Sequence, residues 1–209
     1  QGNLELLRRV GRMSSEDRGA AVEEAYAEAT RMSRLVTDLL ALARADAGVP
    51  LERRAVELDR VLLEVVGEAR HLARGHAIDV AHIEPAAVRG DPDRVRQLLL
   101  ILLDNAIRYT APTGRIAVSL RTGDGVARVE VEDAGVGIAA DALPHIFERF
   151  YRGDRARARD PGGTGLGLAI ARWVAEQHGG TLEIASELGR GTAATVRLPL
   201  LVADRPSRE

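Results

Sequence analysis

QLLLILLDNAIRYT, residues 97–110, carries an asparagine into an apolar helical pattern. Asp91-Pro92 opens that helix, with Asp as N-cap and Pro at the first helical position, and the pattern runs over 92–109. Asn is a poor guest in such a helix, because a buried amide must find partners. Taken alone, Asn105 is explained equally well by a hydrogen bond to a neighbouring loop. Three further blocks change its reading: VEDAGVGI (131–138), IFERFYRGDRAR (146–157) and GGTGLGLAI (162–170). An asparagine on a helix can hold a metal ion, and an aspartate before spaced glycines can read a base. A glycine-rich loop opening a helix exposes N–H groups where anions are favoured. Each block alone is weak, but the four in this order suit one nucleotide pocket.

Around these blocks the pattern alternates. Short β-rich segments are expected at 55–58, 77–83, 87–89, 115–122, 125–132, 181–186 and 192–199. Helical patterns separate them at 59–74, 92–109, 139–148 and 166–178. Gly123-Asp124-Gly125 is a hairpin turn between two strands. The mixture gives an α+β class: a two-layer α/β sandwich with a mixed, largely antiparallel sheet and helices on one face. The stretch Arg152–Gly163, rich in Arg, Asp and Gly, reads as a loop that could cover a ligand.

The N-terminal part differs. Residues 16–46 read as one long helix in which Val22, Ala25, Ala29, Met32, Val36, Leu39 and Ala43 form a heptad seam. Ser14 or Ser15 can cap it, and Gly48-Val49-Pro50 ends it. Residues 1–12 look like the tail of a preceding helix, through Leu4 and Leu7. One narrow apolar stripe on so long a helix must pack on other helices. The expected organisation is therefore a partial helical hairpin over 1–48 and a separate domain over 53–202.

Composition narrows the chemistry. Net charge is −2 across 209 residues, without the strong positive field of a nucleic-acid binder. There is no cysteine, which excludes disulfides, thiolate metal sites and cysteine nucleophiles, and fits a reducing compartment. All 29 basic residues are Arg, as a GC-rich genome would favour. A phosphate-binding P-loop and a eukaryotic-type protein kinase each need a lysine, so both are excluded. The longest purely apolar run, Leu98–Leu103, falls far short of the roughly twenty residues of a membrane span. No membrane contact is expected of this segment. Its opening on Gln1 rather than Met is expected of a fragment or processed product.

The four blocks together resemble the ATP-binding catalytic domain of bacterial sensor histidine kinases, and the likeness extends over most of the chain. The resemblance implies a Bergerat-type ATP-binding fold after a remnant of the dimerisation hairpin. It implies ATP and Mg²⁺ as cofactors, with Asn105 holding the metal. Arg108 and Tyr109 match positions that reach phosphate and line the pocket. Asp133 matches the aspartate that accepts the adenine amino group, while Gly135 and Gly137 let backbone approach the base. Gly163, Thr164, Gly165, Leu166, Gly167 and Leu168 match the phosphate loop, and Phe147, Phe150 and Tyr151 the block that anchors a lid. Arg152 is placed to meet phosphate when that lid closes.

One position departs from the family pattern. Where a second polar residue, commonly Asn, is usual one turn before Asn105, this chain has Ile101. An Ile cannot ligate Mg²⁺. Asp104 is a candidate substitute, although it lies about 100° round the helix from Asn105. Of the five histidines, His71, His76, His82, His145 and His178, none has close metal-ligand spacing or lies in the block carrying the family's phosphoacceptor. GNLELLRR (2–9) resembles the sequence just downstream of that block. The acceptor histidine is thus expected before Gln1 or on a separate polypeptide.

The resemblance implies transfer of the ATP γ-phosphate to such a histidine, for relay to a response-regulator aspartate. It further implies a cytoplasmic catalytic part of an inner-membrane sensor, with weak homodimers through the N-terminal helices. Two alternatives stay open: a degenerate nucleotide-binding or interaction module, favoured by Ile101, and an ATPase of the gyrase and chaperone type.

Overall fold

The computed structural model describes residues 51–73, 75–153 and 163–201, with scattered positions between 14 and 40. The chain divides into two compact units, 1–43 and 44–209. In the first, the described residues from Arg18 to Leu40 are helical, and the Arg18 N–H donates to the Ser14 carbonyl at 3.1 Å. Val22, Met32, Val36 and Leu39 of the seam are exposed. The expected helical tail at 1–12 and the end of the long helix lie outside the described residues.

The second unit contains strands β1 (Arg54–Glu57), β2 (Ala77–Ile83), β3 (Ala87–Gly90), β4 (Arg115–Gly123), β5 (Val126–Asp133), β6 (Thr181–Glu187) and β7 (Gly191–Pro199). Its α-helices are α1 (Leu58–Leu72), α2 (Pro92–Tyr109) and α3 (Gly167–Gln177). Five strands form one sheet in the order β2-β4-β5-β7-β6, in which only the β2–β4 pairing is parallel. Strands β1 and β3 make a separate antiparallel pair. The α+β class and the mixed, largely antiparallel sheet are as expected.

Strand alternation puts Ile116, Val118 and Leu120 of β4 and Ala127, Val129 and Val131 of β5 into the core. The helices meet that face with stripes of their own: Leu58, Leu62, Val65, Val66 and Ala69 from α1, and Ile170, Ala171 and Val174 from α3. Each such buried Leu, Ile or Val contributes about 1.5–3 kcal/mol of transfer free energy. From α2, Val95, Leu98, Leu99, Leu102, Leu103 and Ala106 are buried. Asp91 caps this helix, its Oδ1 accepting from the N–H groups of Asp93 (3.0 Å) and Arg94 (3.2 Å). Asp124 (φ 50°) and Gly125 (φ 76°) form a two-residue type I′ turn between β4 and β5.

One expected helix is absent. Residues 139–148 make successive turns with a single 3₁₀ turn at Leu143–His145. Pro144 lacks an N–H and clashes with a preceding turn, so it can stand only near a helix start. Too few residues follow it before Phe150 takes a left-handed conformation (φ 65°).

Candidate nucleotide site

Where β5 ends, strand register brings four residues into one row across the sheet. Ile116 pairs with Asp133, Asp133 with Thr192, and Thr192 with Ser186. Directly opposed strand residues share a face, and for this row it is the helix-facing side. The half-buried Asp133 carboxylate accepts from the Gly135 N–H at 2.8 Å. Burial pushes its carboxyl above the ordinary 3.8, against the pull of the Gly135 and Thr192 N–H groups and the Thr110 hydroxyl. That hydroxyl is itself buried and makes no hydrogen bond of good geometry, so its pull is the least of the three.

The loop after Asp133 is pinned on two sides. The Val136 N–H donates to the Tyr109 carbonyl at 3.1 Å, and the Gly189 N–H to the Val136 carbonyl at 2.8 Å. The Ile138 N–H donates to Ser186 Oγ at 2.8 Å. These close contacts by themselves require glycine at the two positions expected at the site. A Cβ on Gly135 would lie 2.5 Å from the Tyr109 carbonyl oxygen, and one on Gly137 (φ 65°) would collide with that of Glu187. Gly191 (φ 115°) likewise lets β7 pass against the Asp133 carbonyl.

Helix α2 supplies a second wall. Ile101, Asn105 and Tyr109 recur every fourth residue and so form one stripe. Its first member touches the third helix: a Cβ on Gly167 would lie 3.2 Å from Ile101 Cγ2. Its last member is where the loop after Asp133 is tied. Asn105 stands between the two, half-buried at the edge of the core stripe. Its side-chain amide has no hydrogen-bond partner among the described residues. Asp104 points elsewhere and is held by Arg108, Nη2 to Oδ2 at 2.8 Å.

The third wall is the entry to α3. The Leu166 N–H donates to Thr164 Oγ1 at 3.2 Å, turning the chain into the helix. The amides of Gly167, Leu168 and Ala169 have no carbonyl partner among the described residues, as expected of a helix N-terminus. Gly165 (φ 70°) fits closely against the Phe150 and Tyr151 backbone, and its carbonyl accepts from the Phe150 N–H at 2.9 Å. The chain thus enters and leaves the segment 151–164 at one point. Phe147 lies under the Arg172 guanidinium at 5.1 Å, and Tyr151 packs on His145 at 5.5 Å. Arg152 is half-buried and bound within the chain. Gly162 and the rest of the expected lid, 154–161, lie outside the described residues.

The structure thus sets Gly167 against Ile101 and ties the Gly135 loop to Tyr109, with Asn105 between these two points on α2. Sequence reasoning passed over Thr110, Ser186, Thr192 and Gly191. For Ser186 and Thr192 the signal was a small hydroxyl residue near Gly191 at a strand end, and for Thr110 a hydroxyl at the end of α2. His178 holds structure: its Nε2 accepts the Asp91 N–H (3.0 Å) and its Nδ1 donates to the Val174 carbonyl (2.7 Å). Among the described residues, no group of three His, Asp or Glu side chains could hold a metal, and no helix is long and apolar enough to cross a membrane.

Comparison with known proteins gives this geometry a family. Residues 90–202 match the pattern described as histidine kinase-, DNA gyrase B-, and HSP90-like ATPase. The chain belongs to this ATPase family. Within it, the relatives are sensor kinases. Sensor histidine kinase YkoH of Bacillus subtilis is 38% identical over 192 residues, spanning 92% of this chain and 42% of the relative. Probable sensor histidine kinase TcrY of Mycobacterium tuberculosis is 40% identical over 202 residues, 96% of this chain and 42% of the relative. Among solved structures, mycobacterial sensor histidine kinase MprB aligns with a TM-score of 0.63 at 31% identity, over 71% of this chain and 97% of that one. Full-length ShkA, in complex with AMPPNP, aligns at 0.73 and 29% identity, over 92% of this chain and 40% of that one. The chain spans about two fifths of the length of these curated relatives. It corresponds to the ATP-binding portion of these sensor histidine kinases, a domain of this ATPase family.

Proposed function

We propose that the site binds Mg·ATP and presents its γ-phosphate to a histidine imidazole, for relay to a response-regulator aspartate. The observation that carries this reading is the α2 stripe, which puts Asn105 between the glycine entry of α3 and the Asp133 loop. The Asp133 carboxylate is acceptor-only when ionised, which favours a base bearing an amino group there. The unpartnered amides opening α3 favour phosphate at the other end. Such transfer depends mainly on positioning and charge neutralisation, which these walls can supply.

The residues fit magnesium in one limited way. Asn105 offers a single neutral oxygen, Ile101 none, and Asp104 is engaged by Arg108. Mg²⁺ keeps several waters and takes phosphate oxygens readily, so one protein oxygen is compatible with it. When bound, the ion would neutralise phosphate charge. In this reading Arg108 and Arg152 add positive charge near the phosphates, Tyr109 lines the pocket, and residues 151–164 cover it. The parent protein dimerises through the exposed seam Val22–Leu39 and meets its regulator through a hairpin half preceding this segment.

The test is calorimetric titration with ATP, with and without Mg²⁺, followed by phosphotransfer to a separately supplied histidine-bearing hairpin. Magnesium-dependent binding with transfer is the expected result. Binding indifferent to Mg²⁺ and without transfer would instead favour a degenerate module, the reading that Ile101 supports.

A further inference from the structure

Ser186 Oγ carries one proton and makes three short contacts. It lies 2.8 Å from the Gly191 carbonyl oxygen, 2.8 Å from the Ile138 nitrogen and 2.9 Å from Thr192 Oγ1. A carbonyl can only accept and a backbone N–H can only donate. The Ser186 proton therefore goes to Gly191, and its oxygen accepts from Ile138. With that proton committed, the contact with Thr192 must run the other way, from the threonine hydroxyl to Ser186. The Thr192 oxygen keeps lone pairs only.

This matters because of where Thr192 stands. It is the direct cross-strand partner of Asp133 on the helix-facing side, and its backbone N–H helps hold the Asp133 carboxylate. We infer that Ser186 is a specificity-determining residue for the base. It acts through Thr192, fixing that hydroxyl as an acceptor so that this wall presents two acceptors side by side. A 6-aminopurine brings two N–H donors to such a wall. A 6-oxopurine brings a lone pair and meets repulsion. Ser186 also ties the base loop through Ile138, so the same atom sets both the polarity and the position of the wall.

The inference rests on the reading of Asp133 as the base-binding aspartate, and the test separates the two. Equilibrium titrations with ADP and with inosine diphosphate at fixed Mg²⁺ would be run on the full chain. Its variants would be Ser186→Ala, Thr192→Val, the double substitution and Asp133→Asn. The wild-type chain is expected to prefer ADP. Ser186→Ala frees the Thr192 hydroxyl to donate toward the base, and should narrow the ADP preference by about fivefold, the scale of one hydrogen bond of reversed polarity.

With Thr192 already valine there is no hydroxyl to turn, so adding Ser186→Ala should leave the ratio where it was. Equal weakening of both nucleotides by Ser186→Ala would show a mere brace for the loop and overturn the inference. If Ser186→Ala does not fold, Thr192→Val carries the test alone, and an unmoved ratio there overturns it too. A ratio moved by the hydroxyl variants but not by Asp133→Asn would instead remove the reading of Asp133 while leaving the hydroxyl pair in place.

Discussion

Ile101 stands directly against Gly167, its Cγ2 3.2 Å from where a Cβ on the glycine would be. The residue that departs from the family pattern is therefore a packing partner of the glycine-rich entry to α3. Under the proposed reading, it puts a methyl group where a polar side chain would reach the metal ion. Ile101→Asn returns an oxygen one turn from Asn105. We expect it to strengthen the magnesium dependence of ATP affinity by about tenfold, the scale of one added polar interaction. Paired titrations with and without Mg²⁺ measure this, and an unchanged dependence would show that Asn105 alone sets it.

Asp133→Asn should separate stability from binding. A carboxyl raised by folding contributes stability below its ordinary value of 3.8, and loses it as pH rises through the raised value. At neutral pH the charged Asp133 therefore costs the ligand-free fold stability. Its replacement by Asn should raise the melting temperature without nucleotide while weakening ATP binding at least about tenfold. Wild-type binding should also fade on acidification above the range of an ordinary aspartate. A melting temperature lowered by the substitution would contradict the burial cost.

The glycines of the phosphate loop are not equivalent. Gly165 has φ 70° and fits against Phe150 and Tyr151 backbone atoms that cannot yield. Gly165→Ala should cost about 1–3 kcal/mol by chemical denaturation. Gly167→Ala meets only the end of the Ile101 side chain and should cost less than about 1 kcal/mol. Equal losses at the two positions would argue against the fit at Gly165.

His178 joins the start of α2 to the end of α3. It accepts the Asp91 N–H at the start of α2, and Gly90 is where it is because a Cβ there would collide with the imidazole. His178→Ala leaves that N–H without a partner and should cost about 1–3 kcal/mol. Nucleotide affinity at a temperature where both proteins are folded should be unchanged. A loss of affinity would mean that the start of α2 is coupled to its far end.

How far the sequence could be read depended on the range of the interactions. The start of α2 was legible because Asp91-Pro92 is a local signal, and so was the Asp124-Gly125 turn. The stretch 139–148 was misread because its apolar spacing suits a helix that Pro144 interrupts. Asn105 was expected on an apolar helix, and it stands at the edge of the buried stripe rather than within it. Thr192 and Ser186 could not be placed beside Asp133, because strand pairing across the sheet creates that row and nothing local announces it. The bond between Asp104 and Arg108 became visible only in the structure.

A surface example shows the same local chemistry. Glu84 is lowered to about 2 by hydrogen bonds first from the Thr122 side chain, then from His82 and the Thr122 backbone. Its contribution to stability is present above the ordinary 4.5 and lost as pH falls through about 2. Thr122→Val removes the largest of these and should move the Glu84 titration upward, as followed by carboxyl-carbon NMR. A midpoint that stays near its wild-type position would assign the effect to His82.

The hydrogen bond from Phe150 to Gly165 has a consequence for how this domain can diverge. With both ends of the intervening segment clamped together, its length is decoupled from the geometry of the core. Lengthening such a loop costs only about 0.6 kcal/mol per doubling, because closure entropy grows logarithmically. Insertions and replacements between residues 151 and 164 are thus tolerated where a single added residue in α2 would turn Asn105 away. The domain keeps its floor fixed whatever length of chain joins the two clamped ends.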